Sequence, residues 1–202
     1  MIDPESGCPK IGTELQDYGS IFPKWTGGFN TQFSWKGLRV SASFAASYGA
    51  KAHSISYSQF SRRGKLTNAL PGRYDGMLVS GVKRMTDGTY AKNDVIITDV
   101  VDYYVNYKFM PDNIESSVKD CSYLKMKELR VEYTFPKKWM KKTRILQGAS
   151  VAFFATNLFC ITNWPLYDPE VGTMNGASIS RGMESGAYPM TRTYGFNLKL
   201  QF

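Results

Sequence analysis

Thr191-Arg-Thr-Tyr-Gly-Phe-Asn-Leu-Lys-Leu-Gln-Phe202 alternates apolar and polar side chains along most of its length. Tyr194, Phe196, Leu198, Leu200 and Phe202 fall on every second residue, with Thr193, Gly195, Asn197, Lys199 and Gln201 between them. A period of two is that of a strand with one apolar and one polar face. A soluble, half-buried strand rarely sustains this over ten residues, whereas a tilted strand needs about that many to cross a bilayer. An aromatic at the end of such a strand sits at the membrane interface, where rings are enriched.

Working back from this strand, the same period recurs. Ala149, Val151, Phe153 and Ala155 alternate in a strand ending near Thr162, although adjacent Phe153 and Phe154 leave its outward face ambiguous. Before it, Leu129, Val131, Tyr133 and Phe135 share one parity while Leu124 and Met126 share the other, which requires one extra residue, a β-bulge near Lys127 and Glu128. Near the start, Phe29, Thr31, Phe33 and Trp35, then Leu38, Val40, Ala42, Phe44, Ala46 and Tyr48, form two alternating runs separated only by Lys36-Gly37, the pattern of a β-hairpin. The expected fold is all-β: an antiparallel meander of five strands near residues 26–35, 38–49, 122–135, 147–162 and 190–202, forming an arc of a transmembrane β-barrel. Connections alternate short and long, as barrels alternate tight turns on one side with large loops on the other. The long ones, residues 50–121 and 163–188, are polar and uneven, and loops of that length are usually functional. Within the first, 97–107 is the one run with helical character.

Composition agrees. The chain has 202 residues and no apolar run of the roughly 20 residues that a transmembrane helix needs. A mean hydropathy of −0.32 suits a barrel, which spreads its apolar residues over alternate positions. Its 13 Tyr, 12 Phe and 18 Gly favour strands and turns over helices. The net charge of +8 does not mark a nucleic-acid site, because the one basic cluster, Lys137, Lys138, Lys141, Lys142 and Arg144, flanks a single turn after Pro136. Cys8, Cys121 and Cys160 lack metal-type spacing, and an odd number argues against a disulfide framework, though a Cys8–Cys121 bridge is open. The first residues lack the basic and apolar regions of a signal peptide, so a barrel reading makes this chain part of a longer protein.

No catalytic, metal or cofactor site is expected. His53 has no fixed partners in sequence and reads as a solvated loop residue. Asp168 and Glu170 offer two carboxylates around a stiff proline, which reads as structural rather than as a calcium site. The loop aromatics Tyr90, Tyr103, Tyr104, Trp164 and Tyr167 are of the type that contacts a substrate or a protein partner. A competing reading is a secreted β-sandwich carbohydrate-binding module, which would also show alternating strands and aromatic loops, but whose five strands must divide into two facing sheets.

Several segments in order resemble the SusC-type (SusC/RagA) family of TonB-dependent transporters of Bacteroidetes outer membranes. They are Phe22-Pro-Lys-Trp-Thr-Gly-Gly-Phe29, Ser122-Tyr-Leu-Lys-Met-Lys-Glu-Leu-Arg-Val-Glu-Tyr133 through Pro136, Thr156-Asn-Leu-Phe159, Tyr167-Asp-Pro-Glu170, and Tyr188-Pro-Met-Thr-Arg192 leading into the Phe-ended strand. The resemblance implies the carboxyl-terminal part of a barrel that has 22 strands when complete, a class with a plugged lumen. It implies import of glycans or peptides with a SusD-type lipoprotein lid, and contact with the TonB complex through a part not contained in these residues. It also implies that Tyr194, Phe196, Leu198, Leu200 and Phe202 form the signal read by the barrel-assembly machinery.

Overall fold

A computed structural model of the protein describes residues 1–140, 145–170 and 182–202. Five long strands, β1 (Trp25–Trp35), β2 (Leu38–Tyr48), β3 (Tyr123–Thr134), β4 (Gly148–Thr162) and β5 (Thr193–Gln201), form one sheet in sequence order. Every neighbouring pair is antiparallel, so this is the expected meander, with strand ends within three residues of those read from the alternation. A β-sandwich is excluded for these strands, since all five lie in a single sheet.

The register explains why the alternation was legible. Phe33, Val40, Val131, Phe153 and Phe196 stand side by side across all five strands. The next row on that face runs Trp35, Leu38, Tyr133, Val151 and Leu198. Between them, on the opposite face, lie Ser34, Arg39, Glu132, Ala152 and Asn197. Side chains alternate across a strand, so a period shared by five strands in register makes two chemically distinct faces. Rings meet along the apolar face, Phe153 lying 5.4 Å from Phe196 and Phe29 6.4 Å from Phe44. That face is open, and Phe196 is 79% exposed.

Three local features hold the register. Lys36 and Gly37 both adopt positive φ, at 44° and 89°, the two-residue turn whose twist matches that of the flanking strands. A Cβ on Gly37 would lie 2.7 Å from the Thr134 carbonyl, so close approach of β3 also demands glycine there. The bulge expected near Lys127 and Glu128 is present: Ser43 faces Glu128 while Phe44 faces Met126, leaving Lys127 extra. An extra residue lets Met126 and Leu129 share the apolar face. Not foreseen is the answering irregularity in β4, where Asn157 and Leu158 lie between the residues facing Glu128 and Met126, and Asn157 takes φ 53°. Asparagine tolerates that conformation better than most residues, and here its side-chain amide donates to the Thr191 carbonyl at 3.0 Å.

The Phe153-Phe154 ambiguity is settled by a glycine. Phe153 belongs to the apolar row, and Phe154 points to the polar face, paired with Gly195. A Cβ on Gly195 would lie 2.4 Å from Phe154 Cζ, so the ring occupies the space that the missing side chain leaves. After β3, residues Lys137–Met140 make one helical turn; Lys141, Lys142 and Arg144 of the basic cluster lie outside the described residues.

The chain divides into two compact units, the second built from 1–19, 52–119 and the described residues 182–187. Its sequence reads as irregular loop, yet it has its own core of Cys8, Ala69, Ile97, Val100, Tyr103, Tyr104 and Phe109. The expected helical run begins at Val100 with Asp99 as its cap, and passes at Tyr103 into a wider π-type turn ending at Lys108. Cys8 and Cys121 are both buried, and no disulfide joins them.

Gly195→Val places branched carbons in the Phe154 ring and should destabilise the sheet by about 1–3 kcal/mol. Pairing it with Phe154→Ala should recover part of that loss, because contacting residues are not additive. Denaturant midpoints of the two single variants and the double variant in detergent check this; strict additivity would show that the two side chains do not share the space.

Candidate functional site

The aromatic positions singled out from the sequence fall into different environments. Tyr103 and Tyr104 are buried side by side, their rings 5.2 Å apart and edge-on, and Tyr104 stacks on Phe109 at 6.3 Å. The Tyr104 hydroxyl donates to the Pro71 carbonyl at 3.2 Å, and burial pushes both phenols above their ordinary range. Tyr90 is exposed on a short ribbon in which Tyr90–Lys92 pairs with Val82–Arg84. Trp164 is buried and Tyr167 half-open to solvent, both just beyond β4. Tyr103 borders a cleft of about 780 Å³ lined also by Leu15, Tyr18, Tyr107, Lys108 and Ile114.

His53 is not the solvated loop residue its sequence context suggests. It lies in a short strand, Lys51–Ser54, flanked in one small sheet by Val118–Asp120 and, in parallel, Met183–Glu184. Its Nδ1 lies 2.8 Å from Ser117 Oγ, and that hydroxyl also reaches the Ile114 carbonyl at 3.0 Å. Beside it, the buried Glu184 carboxylate accepts from the hydroxyls of Ser54 and Ser56, the latter at 2.7 Å. Ser54 also caps the helix Ile55–Arg62, accepting from the Tyr57 amide at 3.0 Å, so a carboxylate sits at a helix start where the dipole favours it. A serine, a histidine and a carboxylate thus lie near one another, but not as a nucleophile site. Ser117 is 1% exposed, and its hydroxyl is held between His53 and the Ile114 carbonyl. Burial lowers the His53 pKa and the Glu184 charge only partly opposes this. Sequence reasoning missed the pairing because it joins residues more than sixty positions apart.

The second cluster is on the polar face of the sheet. Lys125 of β3 is 1% exposed, and its ammonium donates to Asp168 and, at 3.0 Å, to Glu170. Glu170 also accepts from Lys127 and, at 2.8 Å, from the Tyr123 hydroxyl. Burial alone would raise the Glu170 carboxyl, but the bonds from Lys127, Lys125 and Tyr123 outweigh it and hold it below its usual value. Asp168 and Glu170 are therefore committed to lysines. The terminal positions Tyr194, Phe196, Leu198, Leu200 and Phe202 are all exposed.

A histidine held neutral by burial stabilises its unit fully above its unfolded pKa of about 6.5, and that contribution is lost as pH falls through the lower folded value. Acidification from pH 7.5 to 5 should therefore speed amide exchange of 51–54 and 117–119, after correction for intrinsic rates. His53→Asn, which can keep a bond to Ser117 without titrating, should flatten that dependence.

No family model matches the chain. The curated TonB-dependent receptor P3 of Formosa agariphila is 24% identical over 188 residues, covering 91% of this chain and 17% of the relative. TonB-dependent receptor P39 of the same organism is 24% identical over 206 residues, covering all of this chain and 18% of the relative. Among solved structures, the RagAB peptide importer in its closed-closed state superposes with a TM-score of 0.66 at 21% identity, over 96% of this chain and 19% of that one. A further RagAB peptide transporter structure gives 0.61 at 23% identity over 91% of this chain and 18% of that one. The chain thus spans about one fifth of the length of the proteins it matches. In sequence as in fold it is similar to TonB-dependent receptors, as the family resemblance implied, and its five strands are an arc of the β-barrel that such proteins form.

Proposed function

We propose that this chain is the carboxyl-terminal barrel segment of a TonB-dependent transporter in the outer membrane of a Bacteroidetes-like Gram-negative bacterium, importing glycans or peptides with a SusD-type lipoprotein lid. The observation that carries the reading is the one-sided sheet: five strands in register whose apolar face is uncovered, while the other carries Arg39, Arg130, Glu132, Asn197 and Lys199. Lipid satisfies the first face and a polar lumen the second. The similarity to a peptide importer favours peptides over glycans as the cargo class. The role is non-enzymatic, in line with relatives named as receptors and importers.

In this reading residues 50–121 and 163–188 are the long extracellular connections, and Tyr90 and Tyr167, the exposed members of the aromatic set, are the ones free to meet cargo or lid. Tyr103, Tyr104 and Trp164 serve by shaping the segments that carry them. The terminal aromatics and leucines serve as the signal for the barrel-assembly machinery, and contact with the TonB complex falls to the remaining four fifths of the protein.

The test uses the full-length transporter in its own outer membrane. Leu198→Arg, aimed at lipid, should cost about 2–4 kcal/mol near the bilayer midplane and reduce the heat-resistant folded form. Asn197→Arg, aimed at the lumen, should cost far less. Equal loss from both would contradict the assignment of faces. Uptake of labelled oligopeptides and oligosaccharides by cells carrying Tyr90→Ala and Tyr167→Ala then separates cargo contact from mere surface location: an unchanged rate for both cargoes removes these residues from the path.

A further inference from the structure

The polar-face cluster does more than neutralise charge. Lys125 reaches both arms of the last connection: Asp168 and Glu170 on the arm leaving β4, and Met190 on the arm entering β5, whose sulfur lies 3.0 Å from the ammonium. Other bonds fasten the same two arms nearby. On the leaving arm, the Thr162 hydroxyl donates to the Ser122 carbonyl at 2.8 Å and accepts from the Trp164 amide at 3.0 Å. On the entering arm, Asn157 donates to the Thr191 carbonyl. Between the buried Trp164 and Asp168, Tyr167 is held at φ 49°. A bulky residue there is strained and persists only where its surroundings over-determine it. The Glu170 amide, donating to Asp168 Oδ1 at 3.0 Å, completes that enforcement.

Removing one partner from a buried ion pair leaves an uncompensated charge and is far more costly than the pair is worth. Lys125 therefore cannot let go of Asp168 and Glu170 while staying where it is, and its position is fixed by strand pairing to Ala45 and Cys160. We propose that residues 164–170 and 188–191 form a two-armed strap on the polar face of the sheet, fastened by Lys125 so that the arms are held or released together. A cargo or partner drawing on either arm must then break the one fastening that both arms share, which couples the release of each arm to the other. The strap rests on the barrel arc itself and stands whether or not the cargo is a peptide.

Hydrogen exchange read by mass spectrometry on the full-length protein in lipid nanodiscs tests this. Lys125→Met keeps the chain length and removes the charge. It should quicken exchange in 164–170 and in 188–191 together, by tenfold or more, and leave the β1–β2 hairpin unchanged. Quickening of one arm alone, or of neither, would overturn the proposal. Should Lys125→Met not assemble, Glu170→Gln and the reversal pair Lys125→Glu with Asp168→Lys replace it. Glu170→Gln must loosen both arms, and the reversal pair must exchange more slowly in both than Lys125→Glu alone; failure of either result equally overturns the strap.

Discussion

Everything in this structure depends on a sheet that satisfies its backbone through its neighbours while presenting two incompatible faces. Each interior strand pairs on both edges, and the period of two then sorts Phe, Leu, Val and Trp from Ser, Asn, Arg and Glu without help from a second layer. In water such a face would be a liability, since large exposed apolar patches drive association. In lipid it is the requirement, because a spanning segment can leave no backbone group unpaired and can show only apolar side chains to the hydrocarbon. The open first and last strands fit the same logic: an arc has two edges, and only closure of the barrel removes them.

The bulges show how one constraint bends another. β3 must keep Leu124, Met126, Leu129 and Val131 on one face, and an even count across Lys127 and Glu128 cannot do that without one unpaired residue. The extra position is itself a lysine, and it reaches Glu170 beside Lys125. Bulge, ionic cluster and the shift in β4 thus lie at one level of the sheet, where regular strand gives way to the connections. Buried charge is tolerated there because every member of the cluster has a partner, which is the condition under which a polar network rigidifies rather than weakens a fold.

Much of the sheet was legible in the sequence because strand periodicity, turn chemistry and the bulge are local signals. Lys36-Gly37, the parity change between Met126 and Leu129, and the alternation from Tyr194 to Leu200 each state their structure within a few residues. The Phe154–Gly195 fit, the His53–Ser117 pair and the Lys125 fastening were not legible, since each joins residues that are distant in sequence and carries no periodic mark. The same holds for the unit containing 52–119. Its core is assembled from isolated residues such as Cys8, Ala69 and Phe109, so its sequence reads as loop even though it is packed. Of the loop aromatics, composition could nominate Tyr103 and Tyr104 but could not show that they face each other inside that core.

Adjacent residues of β5 report directly on whether the two faces of the sheet meet different solvents. Tryptophan placed singly at Phe196 and at Asn197 of the full-length protein in liposomes, measured as the difference from the parent, can be challenged with brominated lipid and with aqueous iodide. If the two faces do meet different solvents, the first is quenched by brominated lipid and not by iodide, and the second resists brominated lipid. Equal quenching of both by brominated lipid, or the reverse order, would contradict it.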